Sequence, residues 1–199
     1  MGRTAVRRAD AQRNVEAIIR AGTDCLGNNP DATLAQIAEA AGVGRVTLYG
    51  HFSSRAELLD AVMQHALQKG NAVLEPVDLS GDPRKALTRL VEASWEVVDQ
   101  SRSILMAAQK ELTPVRIQEL HREPAARVAR LVERGQAEGV FRSDVPVSWL
   151  VATLHNLMHG AADEIHAGRL TTDDAAGYIA ATALASFTPP GRKVPKAST

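Results

Sequence analysis

The stretch from Thr33 to Leu59, TLAQIAEAAGVGRVTLYGHFSSRAELL, constrains this chain more than any other. Leu34, Ile37, Ala38 and Ala41 fall at i, i+3, i+4 and i+7, the spacing that gives a short helix one apolar face. Gly42 follows the last periodic residue, where a left-handed backbone turn costs glycine no Cβ clash. Val43 then serves as an apolar plug. A second short helix, about Arg45 to His51, would bury Leu48 and Phe52 and leave Arg45, Val46, Thr47, Tyr49 and His51 on its other faces. Ala38 is small enough to let the second helix cross close to the first.

Capping signals agree with these limits. Thr33 with Gln36 matches the capping box that opens a helix, and Ser54 with Glu57 matches it again, so a third helix is expected from Ser54 or Arg55. Two short helices joined by a glycine turn make a helix-turn-helix, whose second helix lies in a DNA major groove. No carboxylate stands between Glu39 and Glu57, while Arg45, His51 and Arg55 are all present. A surface that approaches phosphate is expected to lack acids in this way.

The run LAQIAEAAGVGRVTLYGHFSSRAELL resembles the DNA-binding motif of the TetR family of bacterial transcriptional regulators almost continuously. The specific part is Gly42-Val43, Thr47-Leu48-Tyr49 and His51-Phe52, then Arg55 with Leu58. The resemblance implies backbone contacts to DNA from Thr33, Tyr49, His51 and Arg55, and base-edge contacts from Arg45, Val46 and Thr47. Two departures stand out. Gly44 occupies the position where the family usually has a serine at the start of the recognition helix, so a hydroxyl cap is missing at this DNA-contact position, a cost of a few tenths of a kcal/mol, roughly, for glycine as cap. Gly50 replaces a longer polar residue, and glycine inside a helix costs about 1 kcal/mol relative to alanine.

Overall charge says nothing about nucleic acid, because 23 basic residues balance 23 acidic ones. Its distribution is more informative. In the first twenty residues Arg3, Arg7, Arg8, Arg13 and Arg20 stand against only Asp10 and Glu16, a pattern that fits a basic arm along DNA or a solvated tail. The single cysteine, Cys25, excludes an intramolecular disulfide, fits a reducing cytoplasm, and lies on the apolar side of the first helix, where a buried structural thiol is expected ahead of a redox sensor. No apolar run approaches the roughly 18 residues of a membrane span, and the N-terminus lacks the apolar core of a signal peptide. A cytoplasmic protein without a membrane segment is the expectation.

The periodicity predicts an all-α chain. A first helix from about Asp10 to Leu26 precedes the turn Asn28-Asn29-Pro30-Asp31, and the helix from Ser54 runs to about Val73. The segment EPVDLSGDP, residues 75–83, is the sharpest composition break, with Asp82 capping and Pro83 in the first turn of the next helix. Helices are then expected over about Pro83–Gln100, Ser103–Glu111, from Pro114 with a kink or restart at Pro124, Ala125–Glu138, Pro146–His166 and Asp173–Phe187. The basic ending Arg192, Lys193 and Lys196 is expected to be disordered. The expected organisation is a three-helix helix-turn-helix DNA-binding domain with its connecting helix over residues 1–74. A larger helical domain for ligand binding and dimerisation follows over 75–199.

The last two helices carry more apolar surface than one neighbour can cover. That surplus, and the family resemblance, imply a homodimer through a four-helix interface. A two-fold dimer would read a pseudo-palindromic double-stranded operator with half-sites roughly 34–36 Å apart. The resemblance further implies a small-molecule ligand whose binding releases a repressor, with an activator or a sequence-tolerant DNA binder as alternatives. Trp95, Met106, Gln109, His121, His155, Asn156 and His159 are the candidates for its cavity. No cofactor and no metal is called for, and no enzyme activity. The remote exception is a metal-binding enzyme: His155, His159 and Asp163 at i, i+4 and i+8 put two imidazoles and a carboxylate on one helix face. However, HNLMH lacks the glutamate of a zinc-protease HExxH, and no nucleophile with a nearby base is evident.

Overall fold

A computed structural model describes the backbone of residues 2–195 and the side chains of residues 8–195. The described residues form nine helices and no strand: α1 (Gly2–Asn28), α2 (Leu34–Ala40), α3 (Arg45–His51), α4 (Arg55–Leu74), α5 (Pro83–Glu111), α6 (Pro114–Leu120), α7 (Arg122–Ala137), α8 (Val147–His166) and α9 (Thr172–Phe187). The fold is all-α, with a helix-turn-helix near the N-terminus and a larger helical part after it. The chain packs as two units, residues 1–69 with 103–120, and residues 70–102 with 121–199. The helices α4 and α5 each contribute residues to both.

In the first unit the buried core joins Ile18 and Leu26 of α1, Ile37 and Ala38 of α2, and Leu48 of α3 with Phe52 and with Leu58, Leu59, Val62 and Met63 of α4. Ile104, Leu105, Ala107 and Ala108 from the end of α5 belong to the same core. A single cut at residue 74 therefore separates side chains that pack together. The cause is α5. A break was expected between Gln100 and Ser103, but the helix is continuous from Pro83 to Glu111. Serines there are weak helix formers rather than breakers, and the apolar register never lapses: Val91, Val98, Leu105 and Leu112 follow at intervals of seven. The helix α1 also exceeds its expected start at Asp10, so the basic N-terminal segment continues as helix from Gly2. The side chains of Arg3 and Arg7, and all of Lys196, lie outside the described residues.

The second unit buries Leu87, Leu90, Val91 and Trp95 of α5 against Leu131 and Val132 of α7, Leu150, Leu154, Met158 and Ala162 of α8, and Ile179, Ala183, Leu184 and Phe187 of α9. Its composition break at 75–82 is tied down. Arg89 donates to the carbonyls of Asp78 and Ser80, both at 2.8 Å, and Arg134 donates to that of Leu79 at 2.6 Å. Asp82 accepts from the Arg84 amide at 2.9 Å, the N-cap expected before Pro83. Pro124 falls in the first turn of α7, where its missing N–H interrupts no helical bond, so the restart occurs between Leu120 and Arg122.

At the end of α7 the Val140 amide bonds the Gly135 carbonyl at 2.9 Å, and Phe141 turns back over Gly135 to meet Phe187 edge to face at 5.5 Å. A Cβ on Gly135 would lie 2.0 Å from the Phe141 ring, which is itself buried. Gly135→Ala should therefore destabilise the protein by about 1–3 kcal/mol through overpacking. Urea denaturation checks this, and an unchanged midpoint would contradict the packing described.

Candidate nucleic-acid interface

The turn between α2 and α3 has the geometry expected from its glycine. Gly42 adopts φ 68°, its amide bonds the Glu39 carbonyl at 3.0 Å, and the Val43 amide bonds that of Ala38 at 3.0 Å. This pair of bonds is the Schellman closure of α2. At the other end of α2, Thr33 accepts from the Gln36 amide at 3.3 Å while the Gln36 side chain accepts from the Thr33 amide at 2.8 Å. Gly44 is the N-cap of α3 and offers no side-chain bond, as its lack of a hydroxyl requires.

The helix α3 turns Leu48 into the core. Val46 is 88% exposed and Tyr49 54%, with Arg45 exposed beside them and Thr47 and His51 half-buried. A large aliphatic side chain left so open on a helix next to an arginine is an unpaid desolvation opportunity, which suits contact with thymine methyl groups and base edges. Ser54 caps α4 by accepting the Glu57 amide at 3.1 Å, but the Glu57 carboxylate closes the loop on the Ser53 amide, at 2.7 Å, one residue before the position expected. Those bonds from Ser53 hold the Glu57 carboxyl below its ordinary pKa.

Thr33, Tyr49 and Arg55, assigned to the DNA backbone by resemblance, line one open groove of about 500 Å³ together with Asp31, Lys110 and Glu111. Arg55 is engaged within the protein: its guanidinium donates to the carbonyls of Ala32 at 2.5 Å and Pro30 at 3.2 Å, and pairs with Glu111 at 3.5 Å. Lys110 donates to Asp31 at 2.6 Å, and that bond holds the Asp31 carboxyl below its usual range. Each acid of the groove thus faces a cation. These partners come from the end of α5, far along the chain, and nothing in the local sequence pattern signalled them. A bidentate pair of Arg116 on α6 with Asp60 on α4, at 2.6 and 3.0 Å, was equally invisible.

The candidate ligand residues are divided. Met106 and Gln109 belong to the first unit, whereas Trp95, His121, His155, Asn156 and His159 belong to the second. Trp95 is buried, and its indole N–H has no acceptor among the described residues. Asn156 is exposed. The proposed trio of His155, His159 and Asp163 is not what α8 assembles. Asp163 accepts from Arg102 at 2.7 Å, and the third imidazole beside His155 and His159 is that of His121, with ring centroids 5.3 and 6.3 Å away. Burial, then the neighbouring imidazoles of His155 and His121, outweigh the opposing charge of Asp163 and push His159 down to about 4. Burial and His121 lower His155 as well.

Two measurements follow from this geometry. A Cβ on Gly50 meets nothing within 4 Å and its φ is not positive, so Gly50→Ala should stabilise the DNA-free protein by about 0.5–1 kcal/mol. For His159 the folded pKa, about 4, lies below its ordinary value of 6.5. Its contribution is fully present above the higher value, and it is lost as pH falls towards the lower one because the unfolded chain then binds the extra proton. With chelator present, stability should fall by on the order of 1–3 kcal/mol across that window, and His159→Gln should flatten the fall. Equal pH slopes for the two proteins would refute the assignment.

Residues 18–62 match the family profile described as bacterial regulatory proteins, tetR family. The chain is 38% identical over 87 residues to the HTH-type transcriptional repressor LfrR of Mycolicibacterium smegmatis, covering 43% of this chain and 46% of that protein. It is 27% identical over 184 residues to the HTH-type transcriptional regulator NfxB of Pseudomonas aeruginosa, covering 89% of this chain and 96% of that one. The stronger identity thus spans less than half of its relative, while the weaker one runs nearly end to end. The crystal structure of LfrR from Mycobacterium smegmatis in complex with proflavine superposes with a TM-score of 0.66 at 24% identity, over 88% of this chain and 97% of that one. Residues 18–62 thus carry the helix-turn-helix that the tetR family profile describes, and the chain shares its overall fold with a TetR-like transcriptional regulator.

Proposed function

We propose that the protein is a cytoplasmic, homodimeric repressor that holds a pseudo-palindromic operator through α3 and releases it when a small molecule binds the second unit. The observation that carries the DNA reading is the outer face of α3, where Arg45, Val46 and Tyr49 are exposed around the buried Leu48. Arg45, Val46 and Thr47 are assigned to base edges. Thr33, Tyr49, His51 and Arg55 are assigned to the sugar-phosphate backbone, which positions the protein without specifying sequence, and Gly44 lies at the DNA-facing start of α3 without a hydroxyl to offer.

Dimerisation is supported by the outer faces of the last helices. Trp149 is 64% exposed on α8 and Tyr178 58% on α9, and around them lie the exposed small residues Ala152, Gly160, Gly177, Ala181 and Ala185. Aromatic anchors set among small residues allow close helix approach and suit an isologous four-helix contact. A ligand within the second unit is supported by the buried Trp95 indole, a donor that a ligand acceptor would satisfy. Proflavine, bound by LfrR, is an example of a small-molecule partner in a relative. No helix among the described residues is long and apolar enough to cross a membrane. Release requires only that the ligand favour one arrangement, and about 1–3 kcal/mol of coupling weakens DNA binding roughly 5- to 150-fold.

Selection of duplex from a random pool tests this reading. The recovered motif should hold two related half-sites roughly 34–36 Å apart, bound at least about 10³-fold more tightly than random duplex. Arg45→Ala should relax preference at a defined position at a cost of about 1–3 kcal/mol, and Arg55→Ala should weaken every sequence alike. A pool that yields no motif, or an Arg45→Ala variant weakened equally on all sequences, would overturn it.

A further inference from the structure

The cluster of His121, His155 and His159 is used by neither the DNA reading nor the apolar core. His155 and His159 are one turn apart on α8, with ring centroids 4.3 Å from each other, and His121 approaches from the position before α7. One ring nitrogen from each can be chosen so that all lie within 4.8 Å of one another. Imidazoles around one tetrahedral ion, bonded at about 2.0–2.1 Å, have nitrogens about 3.3 Å apart, a contraction that small ring rotations supply. The cluster is half open: His155 is exposed and the other two are half-buried, so an ion has a path in and room for a further ligand.

We propose that these histidines form a binding site for a divalent first-row transition ion such as Zn²⁺ or Co²⁺. The donor set selects that class. Imidazole nitrogens suit Zn²⁺, Co²⁺, Ni²⁺ and Cu²⁺, whereas Mg²⁺ and Ca²⁺ require several oxygens. The nearest carboxylate on α8, that of Asp163, is held by Arg102, so the set is three nitrogens with a fourth position for water or a small ligand. An ion there would tie α8 to the start of α7. The site stands independently of any operator, because its residues and its test involve the second unit alone.

The test uses full-length, tag-free protein stripped with chelator and titrated with Co²⁺ and Zn²⁺. One ion per chain should bind, and Co²⁺ should develop the visible ligand-field bands of a low-coordinate nitrogen site. His121→Ala, His155→Ala and His159→Ala should each weaken binding by more than the roughly 10- to 100-fold that an outer-shell change costs, while Asp163→Asn leaves it unchanged. Because His159 is half-buried and its replacement can unfold the chain, the exposed His155→Ala variant keeps the comparison valid, with circular dichroism as its check. Failure of the unmodified protein to take up metal would overturn the site. So would full binding by the His121→Ala/His155→Ala double variant, which would place the ion on His51, His65 or His166, or an Asp163→Asn loss as large as that of His155→Ala.

Discussion

Burial of Leu48 and Phe52 is the interaction on which the exposed face of α3 depends. Seven residues are too few to hold a helix in water, and α3 has a glycine at its N-cap and another at its sixth position. Its place is set instead by those side chains inserted into the core that α1, α2 and α4 supply. The left-handed turn at Gly42 sets the angle at which they enter, and Ala38 keeps the crossing close. Arg45, Val46 and Tyr49 face outward because the opposite side of a short helix has been claimed.

The residues proposed to contact the DNA backbone have structural roles of their own. Arg55 closes the loop between α1 and α2 through the carbonyls of Pro30 and Ala32, and Thr33 caps the helix that follows. Exposed ion pairs such as Lys110 with Asp31 add roughly 0–1 kcal/mol to stability. Their larger effect is on charge: the acids bordering the groove are offset, so a phosphate approaching Thr33 and Tyr49 meets less repulsion than a count of carboxylates implies.

Local chemistry was legible in the sequence and distant pairing was not. The capping box at Thr33, the turn at Gly42 and the N-cap at Asp82 depend on residues within four positions of one another, and each stands where spacing put it. The division of α3 into a buried side at Leu48 and an exposed side at Val46 and Tyr49 was readable for the same reason. The continuity of α5 was missed because polar residues at 99–103 look like a gap, although the heptad register runs through them. Asp163 was paired with the wrong neighbours because i+8 on a helix is silent about an arginine sixty-one residues away. His121 joins His155 and His159 only through the packing of α7 on α8, and Met106 and Gln109 fall with the first unit because α5 passes from one core to the other.

The chain has only two tryptophans, Trp95 in the core of the second unit and Trp149 on the open side of α8. The first unit has none among its residues, so emission excited selectively from tryptophan, leaving Tyr49 dark, is silent about α2 and α3 and sensitive to the helical body. One fluorophore is shielded and the other bathed in water, which separates their colours. Quenching from the blue side of the band would report what enters the interior, and quenching from the red side what covers α8.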